Sequence, residues 1–370
     1  MGVGQGALEG VGVTPDFWAG RRVFLTGHTG FKGAWMAALL AHLGAEVTGY
    51  ALAPETTPNL WTLLGLKKVR SVIGDLNDRA TLDRALADAR PEVVLHLAAQ
   101  ALVRRSYRSP VDTFATNVMG TVQLLDAVRS CPDVRAVIVA TSDKAYDNVE
   151  QIWGYRETDP MGGRDPYSAS KGACEIAAQS MAKSFFQPHV TDGHPARVAT
   201  VRAGNVIGGG DWSEDRLVPD IVRGCLGEAG QVTLRAPYSV RPWQHVLEPL
   251  RGYLMVAERL AIGDDAAATG WNFGPDRQDE QPVIILAEAV VAALGRGRIV
   301  IDAAGAKLHE AKLLRLDCTK ARVELGWQPA LRFSDCVRLT SDWYGGWAAG
   351  RAAADLCREQ IMTYEGIVGK

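Results

Sequence analysis

Along its first 205 residues the chain alternates between two hydrophobic rhythms. Short apolar runs of five to seven residues cover 22–26, 45–50, 69–73, 92–97, 135–141 and 196–201. Between them lie stretches in which apolar residues recur every three or four positions, at 34–43, 80–89, 111–129 and 167–185. The short runs are flanked by glycine, proline or polar residues and predict strands. The longer stretches predict helices. Strands separated by helices make βαβ units, which assemble into a parallel sheet with helices on its faces. The expected fold class is therefore α/β, a doubly wound parallel sheet. After residue 205 the rhythm breaks. Gly208-Gly209-Gly210-Asp211 opens a loop, and helices and short strands then follow irregularly. The expected division is a loose leader at 1–16, a sheet domain at 17–205, and a smaller mixed α/β region at 206–370. The last two are interleaved, with a segment near 240–275 returning to the sheet domain.

Composition changes this picture mainly by exclusion. With 370 residues, 47% hydrophobic and 22% charged, the chain can bury a full core. A net charge of −2 supplies no basic excess for nucleic acid and no polybasic anchor. The longest apolar stretch, at 34–43, is interrupted by His42 and is too short to span a bilayer, so no membrane partner is expected. Residues 1–14 are glycine-rich and lack a signal-peptide pattern, and Gly6 stands where myristoylation would need Ser or Thr. Six scattered cysteines without a CxxC pair read as reduced thiols of a cytoplasmic protein, with no metal site.

The candidate chemistry lies in two motifs about 110 residues apart. The first, Gly27-His28-Thr29-Gly30-Phe31-Lys32-Gly33, sits between the first strand and the first helix. Glycines there let the backbone approach a pyrophosphate, and free amides at the helix start favour its charge. In this context the sheet is of the Rossmann type. The same turn could also serve only to pack helix on strand. Asp75-Leu76 ends the third strand, where the carboxylate either accepts from an adenine amine or caps the next segment. Tyr50-Ala51-Leu52-Ala53 carries neither an acid for a ribose 2′-hydroxyl nor an arginine for a 2′-phosphate. This favours NAD over its phosphorylated form.

The second motif is Ser142-Asp143-Lys144, followed by Tyr167 and Lys171. Four residues apart on one helix, Tyr167 and Lys171 share a face, so the ammonium can favour the phenolate. A phenolate is a base for a sugar hydroxyl losing hydride. Ser142-Asp143-Lys144 follows a strand and points at the crevice where open parallel sheets bind ligands, or is a solvated polar turn. Arg202-Ala203-Gly204-Asn205 ends another strand and is expected beside nicotinamide and substrate. Arg241 suits a diphosphate or a structural ion pair. His96 and His245 read as packed residues, and the ten tryptophans as core and interface.

From about residue 17 to 347 the chain resembles the extended short-chain dehydrogenase/reductases, and among them most closely the CDP-glucose 4,6-dehydratases. The resemblance rests on the glycine turn, His96-Leu97-Ala98-Ala99-Gln100, Thr141-Ser142-Asp143-Lys144-Ala145-Tyr146, Asp165-Pro166-Tyr167-Ser168, the segment from Arg202 to Trp212, and Arg241-Pro242-Trp243-Gln244-His245-Val246. Dehydratases for other nucleotide sugars typically carry Asp-Glu in place of Asp143-Lys144. The resemblance implies tightly bound NAD, regenerated each cycle, and CDP-glucose as substrate. It makes Tyr167 the base at the 4-hydroxyl, tuned by Lys171, with Ser142 on the 4-oxygen. Lys144 becomes the C5 base and Asp143 the acid for the departing C6 hydroxyl. Hydride return to C6 then gives CDP-4-keto-6-deoxyglucose. The expected cofactor set is Gly27, Thr29, Gly30, Phe31, Lys32, Gly33, Asp75, Leu76, Ala98, Ala99, Gln100, Asn117, Thr141, Tyr167, Lys171, Arg202 and Ala203. The expected substrate set is Ser142, Asn205, Arg241 and Arg104, within the region at 206–370 and the cleft it covers. Relatives dimerise through two helices, here 111–129 and 166–185, so a homodimer or a homotetramer is expected. Arg164 departs from the pattern, which has an aromatic there. A nucleotide-sugar 4-epimerase, a dehydratase for another nucleotide sugar and a non-catalytic NAD-sensing protein are the competing readings.

Overall fold

The apolar runs become strands because each places successive side chains on opposite faces, and both faces are covered. Phe24, Val94 and Val137 point into one core, whereas Leu25, Leu95 and Ile138, their neighbours in sequence, point into the other. The computed structural model describes residues 12–186, 190, 193–228, 230–302 and 313–369. The strands are β1 (Arg22–Thr26), β2 (Glu46–Ala51), β3 (Arg70–Ile73), β4 (Val93–His96), β5 (Ala136–Ala140) and β6 (Arg197–Ala203). A seventh, Gly270–Phe273, extends the sheet beside β6. From that strand the order runs β6, β5, β4, β1, β2, β3, and every pair is parallel. Chain order reverses between β1 and β4, which is where a doubly wound sheet opens its crevice.

Differences from the sequence expectation have local causes. Residues 1–11 of the expected leader lie outside the described residues. The rest of it is tied down. The helix Pro15–Trp18 begins inside it, and Thr14 N and Trp18 Nε1 both donate to Glu258 Oε1, at 2.9 and 2.6 Å. The single helix expected at 111–129 is broken. Pro110–Phe114 and Gly120–Val128 flank a π-turn at Ala115–Met119, and Val103–Arg108 forms a further helix ahead of them. The π-turn brings Asn117 inward, where its side chain bonds the backbone of Gln100.

Past residue 205 the strands are two to four residues long and, apart from Gly270–Phe273, pair outside the main sheet. Val206–Ile207 joins Gln244–His245, Val240–Pro242 joins Glu280–Pro282, and Gln231–Leu234 joins Arg298–Ile301. The helix Ala353–Val368 returns to pack on Phe31–His42, the helix that follows the glycine turn. Among the described residues no helix is long and apolar enough to cross a membrane.

Arg202 corrects an expectation. Its side chain is sealed from solvent and does not face the cleft. Its guanidinium forks onto Glu175, Nε to Oε1 at 2.7 Å and Nη2 to Oε2 at 2.9 Å, and Nη1 donates to the Tyr146 hydroxyl at 2.5 Å. Tyr146 donates on to Asn272 Oδ1 at 2.8 Å, and the Thr141 hydroxyl donates to Glu175. Burial alone would raise the Glu175 carboxyl, but the Arg202 fork outweighs it and holds the group below the ordinary range. Removing one partner of such a pair strands the other. Glu175→Leu should therefore lose about 3–5 kcal/mol of stability in urea unfolding, while Glu175→Leu with Arg202→Met should recover most of that loss.

Candidate functional site

At the carboxyl edge of the sheet lies a cleft of about 900 Å³. One wall is the glycine turn. Gly27 has φ of +79°, in the left-handed region, and a Cβ there would sit 2.7 Å from the Ala98 nitrogen. A Cβ on Gly33 would sit 2.0 Å from the Gly27 carbonyl oxygen, so the turn can close only without side chains at both positions. The helix Phe31–His42 begins at Gly30 with no side-chain cap and no acid in its first turn. Its free amides are available to a pyrophosphate, and the cradle fits a dinucleotide.

Around this turn the structure gathers Thr29, Phe31, Lys32, Leu76, Ala98, Ala99, Gln100, Thr141 and Ala203 on the cleft lining. Asp75 lines it too, while its Oδ1 accepts from Asn77 N at 2.9 Å in a local turn; the cap of the next helix, Arg79–Ala89, is Asp78. Two expected cofactor residues do not line the cleft. Arg202 lies one residue short of the strand end and turns into the core. Asn117 stands behind the wall, accepting from Gln100 N at 2.8 Å and donating to Ser170 Oγ at 2.8 Å. The His96 ring is buried between Thr26 and Thr121, and burial pushes it down to about 3, so it is neutral.

The opposite wall brings the second motif together. The helix Pro166–Phe185 starts at Asp165, whose carboxylate accepts from Ser168 N, with Pro166 in its first turn. This sets Tyr167 and Lys171 one turn apart, both buried at the cleft lining, with Lys171 Nζ donating to the Ala140 carbonyl at 3.3 Å. After β5 the chain makes a short 3₁₀ turn at Asp143–Ala145. Ser142 Oγ donates to Asp143 Oδ1 at 3.0 Å, and Lys144 Nζ reaches the same oxygen at 3.4 Å. Asp143 is fully buried, and among the described residues its Oδ2 has no hydrogen-bond partner. A Cβ on Gly204 would lie 1.9 Å from that oxygen. Gly204 is thus set by the buried carboxylate, a role that reading it as a strand end did not reveal.

On the substrate side Arg104, Asn205 and Arg241 line the cleft, as does Arg164, where the family pattern has an aromatic. Arg104 faces Asp215 at 3.7 Å, Arg241 Nη1 donates to the Val240 carbonyl at 2.9 Å, and Asn205 holds φ of +49°. Two further cations stand here: Arg216, which sequence reasoning missed, and Lys32, which it placed in the cofactor set. Arg216 crosses to the Ala101 carbonyl at 2.9 Å. The half-buried Lys32 side chain lines the cleft, and burial first, then Arg216, Lys171 and Lys144, push its amine down to about 7 against the pull of Asp143. At the rim Arg105 pairs with Glu55 and Glu214.

The family model described as GDP-mannose 4,6 dehydratase matches residues 24–340. The CDP-glucose 4,6-dehydratase of Salmonella typhimurium is 46% identical over 353 residues, covering 95% of this chain and 98% of that protein. Among solved structures, DesIV, a dTDP-glucose 4,6-dehydratase from Streptomyces venezuelae with NAD and TYD bound, superposes with a TM-score of 0.71 at 26% identity. That match covers 88% of this chain and 98% of DesIV. The UDP-glucose 4-epimerase of Thermotoga maritima, at 23% identity and a TM-score of 0.74 over 88% of this chain and 99% of its own, shares the fold. Matched along nearly its whole length by a family model and by a close relative, the chain belongs to the GDP-mannose 4,6 dehydratase family.

Proposed function

We propose that the chain is a CDP-glucose 4,6-dehydratase with resident NAD, yielding CDP-4-keto-6-deoxyglucose and water. The observation that carries the reading is the Asp143–Lys144 couple on the same cleft wall as Tyr167 and Lys171. An epimerase has no water to eliminate and no use for that couple. The nucleotide comes from the relative in Salmonella typhimurium, similar over nearly the whole chain.

When bound, NAD supplies the hydride acceptor at C4 and afterwards the donor at C6. Tyr167 takes the 4-hydroxyl proton, Ser142 Oγ hydrogen-bonds the 4-oxygen, and Lys171 stands beside both. The resulting ketone acidifies C5. Lys144 then accepts the C5 proton and Asp143 protonates the departing C6 hydroxyl. Both roles need uncharged forms. One proton passing along the 3.4 Å contact between Lys144 and Asp143 turns the ion pair into a neutral amine and a carboxylic acid. Lys144 returns its proton to C5, and the proton collected by Tyr167 balances the one spent on water. Gly27, Gly30 and Gly33 with the first amides of the following helix hold the pyrophosphate, Asp75 and Leu76 lie at the adenine end, and Arg104, Arg241 and Asn205 meet the nucleotide sugar.

The assembly is a homodimer, or a tetramer built from it. Val111, Phe114, Met119 and Ile176 are exposed on the segments expected to pair, and a second copy would cover them. The described cysteines are all free, which suits a reducing cytoplasm.

Offered glucose linked to CDP, UDP, dTDP or GDP, the enzyme should turn over CDP-glucose in clear preference, read from the ultraviolet band of the 4-keto sugar in base. Equal rates on all four would remove the specificity. Asp143→Asn should slow elimination by roughly 10²–10⁴-fold while C4 oxidation continues, so NADH absorbance should accumulate after mixing with CDP-glucose. Met119→Glu combined with Ile176→Arg should halve the mass measured by light scattering, or split a tetramer. An unchanged mass would place the interface elsewhere.

A further inference from the structure

The reaction proposed above leaves the Lys32 side chain without a task. The glycine turn needs only backbone at this position, and among the described residues the Lys32 ammonium makes no hydrogen bond or ion pair. The charged groups facing it come from three other elements. Arg216 precedes the helix Leu217–Leu226, Lys171 lies on the Pro166–Phe185 helix, and Lys144 and Asp143 lie in the turn after β5. Three cations and one carboxylate surround a fourth cation, and the carboxylate is already engaged by Ser142 and Lys144. The uncapped amides at the start of the Phe31–His42 helix belong to the same turn and add partial positive charge. An ammonium held there gains little from its protein neighbours and much from an arriving anion.

We propose that Lys32 grips a pyrophosphate in the cleft, with Arg216 as the second cation. Both molecules of the proposed reaction, NAD and CDP-glucose, carry that group, and the inference rests on that reading. It adds a side-chain contact to the backbone cradle of the glycine turn.

A consequence follows from the surroundings of Lys32. Burial first, then the neighbouring Arg216, push its amine down to about 7. A phosphate beside it favours the charged form and returns it towards the ordinary lysine range of about 10.4. Below pH 7 the amine is charged before and after binding, and no proton moves. Above pH 7 binding draws in one proton, so affinity falls as pH rises, until the bound amine itself titrates.

The test is calorimetry on the full chain at pH 8 in two buffers of different ionisation heat. CDP is titrated into the protein as purified, and NAD into protein stripped of nucleotide. Wild type should take up close to one proton with the probe whose pyrophosphate Lys32 holds. Lys32→Met should abolish that uptake and weaken the same probe by roughly tenfold to a hundredfold. Lys32→Arg should keep the affinity and lose the uptake, which also shows that the turn still folds. Loss confined to CDP assigns the contact to the substrate, and loss confined to NAD assigns it to the cofactor. If Lys32→Met binds both probes as wild type does, the proposal fails while the dehydratase reading stands. Wild-type protein that binds neither probe ends both.

Discussion

One buried carboxylate sets the geometry on which everything else depends. Glu175 sits one turn beyond Lys171 on the helix that also carries Tyr167. It accepts from Thr141, the residue before Ser142, and from Arg202 on β6. Arg202 in turn holds Tyr146, two residues past Lys144. The helix of Tyr167 and Lys171 and the turn of Asp143 and Lys144 are thereby fastened to one fork, with the turn between Thr141 and Tyr146 pinned at both ends. Such a pair adds little net stability, because desolvating two charges offsets their attraction. Its value is directional. A planar guanidinium bonds in fixed directions, and chemistry at C4 and C5 of one sugar tolerates only small displacements between the groups that act on them.

The sheet was legible because its signal is local and doubled. Each strand alternates between two cores, so a short apolar run flanked by polar residues has few other readings. Tyr167, Lys171 and the turn at Ser142 were legible for a related reason: helical spacing and strand ends fix where such side chains go. Arg202 was misread because the rule of carboxyl ends was applied one residue too early. Ala203 reaches the cleft, and the pleat sends its neighbour into the core. The π-turn at Ala115–Met119 has no sequence period of its own, and it accompanies bonds from Asn117 to residues 17 and 53 positions away. Beyond residue 205, strands of two to four residues are too short to show alternation at all.

Electrostatics were the least legible layer. The whole chain carries a net charge of only −2, which suggests no strong field anywhere. Folding separates the charges instead. At the rim Glu55 and Glu214 are occupied by Arg105, and Asp215 by Arg104. Deeper in, Lys32, Lys144 and Lys171 share the cleft lining with Asp143, and the exposed Arg216, 184 residues along the chain from Lys32, adds its charge from the outer side. The cleft lining is balanced as a whole, but around Lys32 the cations outnumber the carboxylate, and such a local excess draws anions. The same excess bears on why a lysine accompanies Asp143. A second carboxylate next to a buried one would be repelled by it. A lysine instead forms an ion pair with Asp143, Nζ to Oδ1 at 3.4 Å. In the proposed reaction that contact keeps the acid and the base in register, and the surrounding cations are left for phosphates.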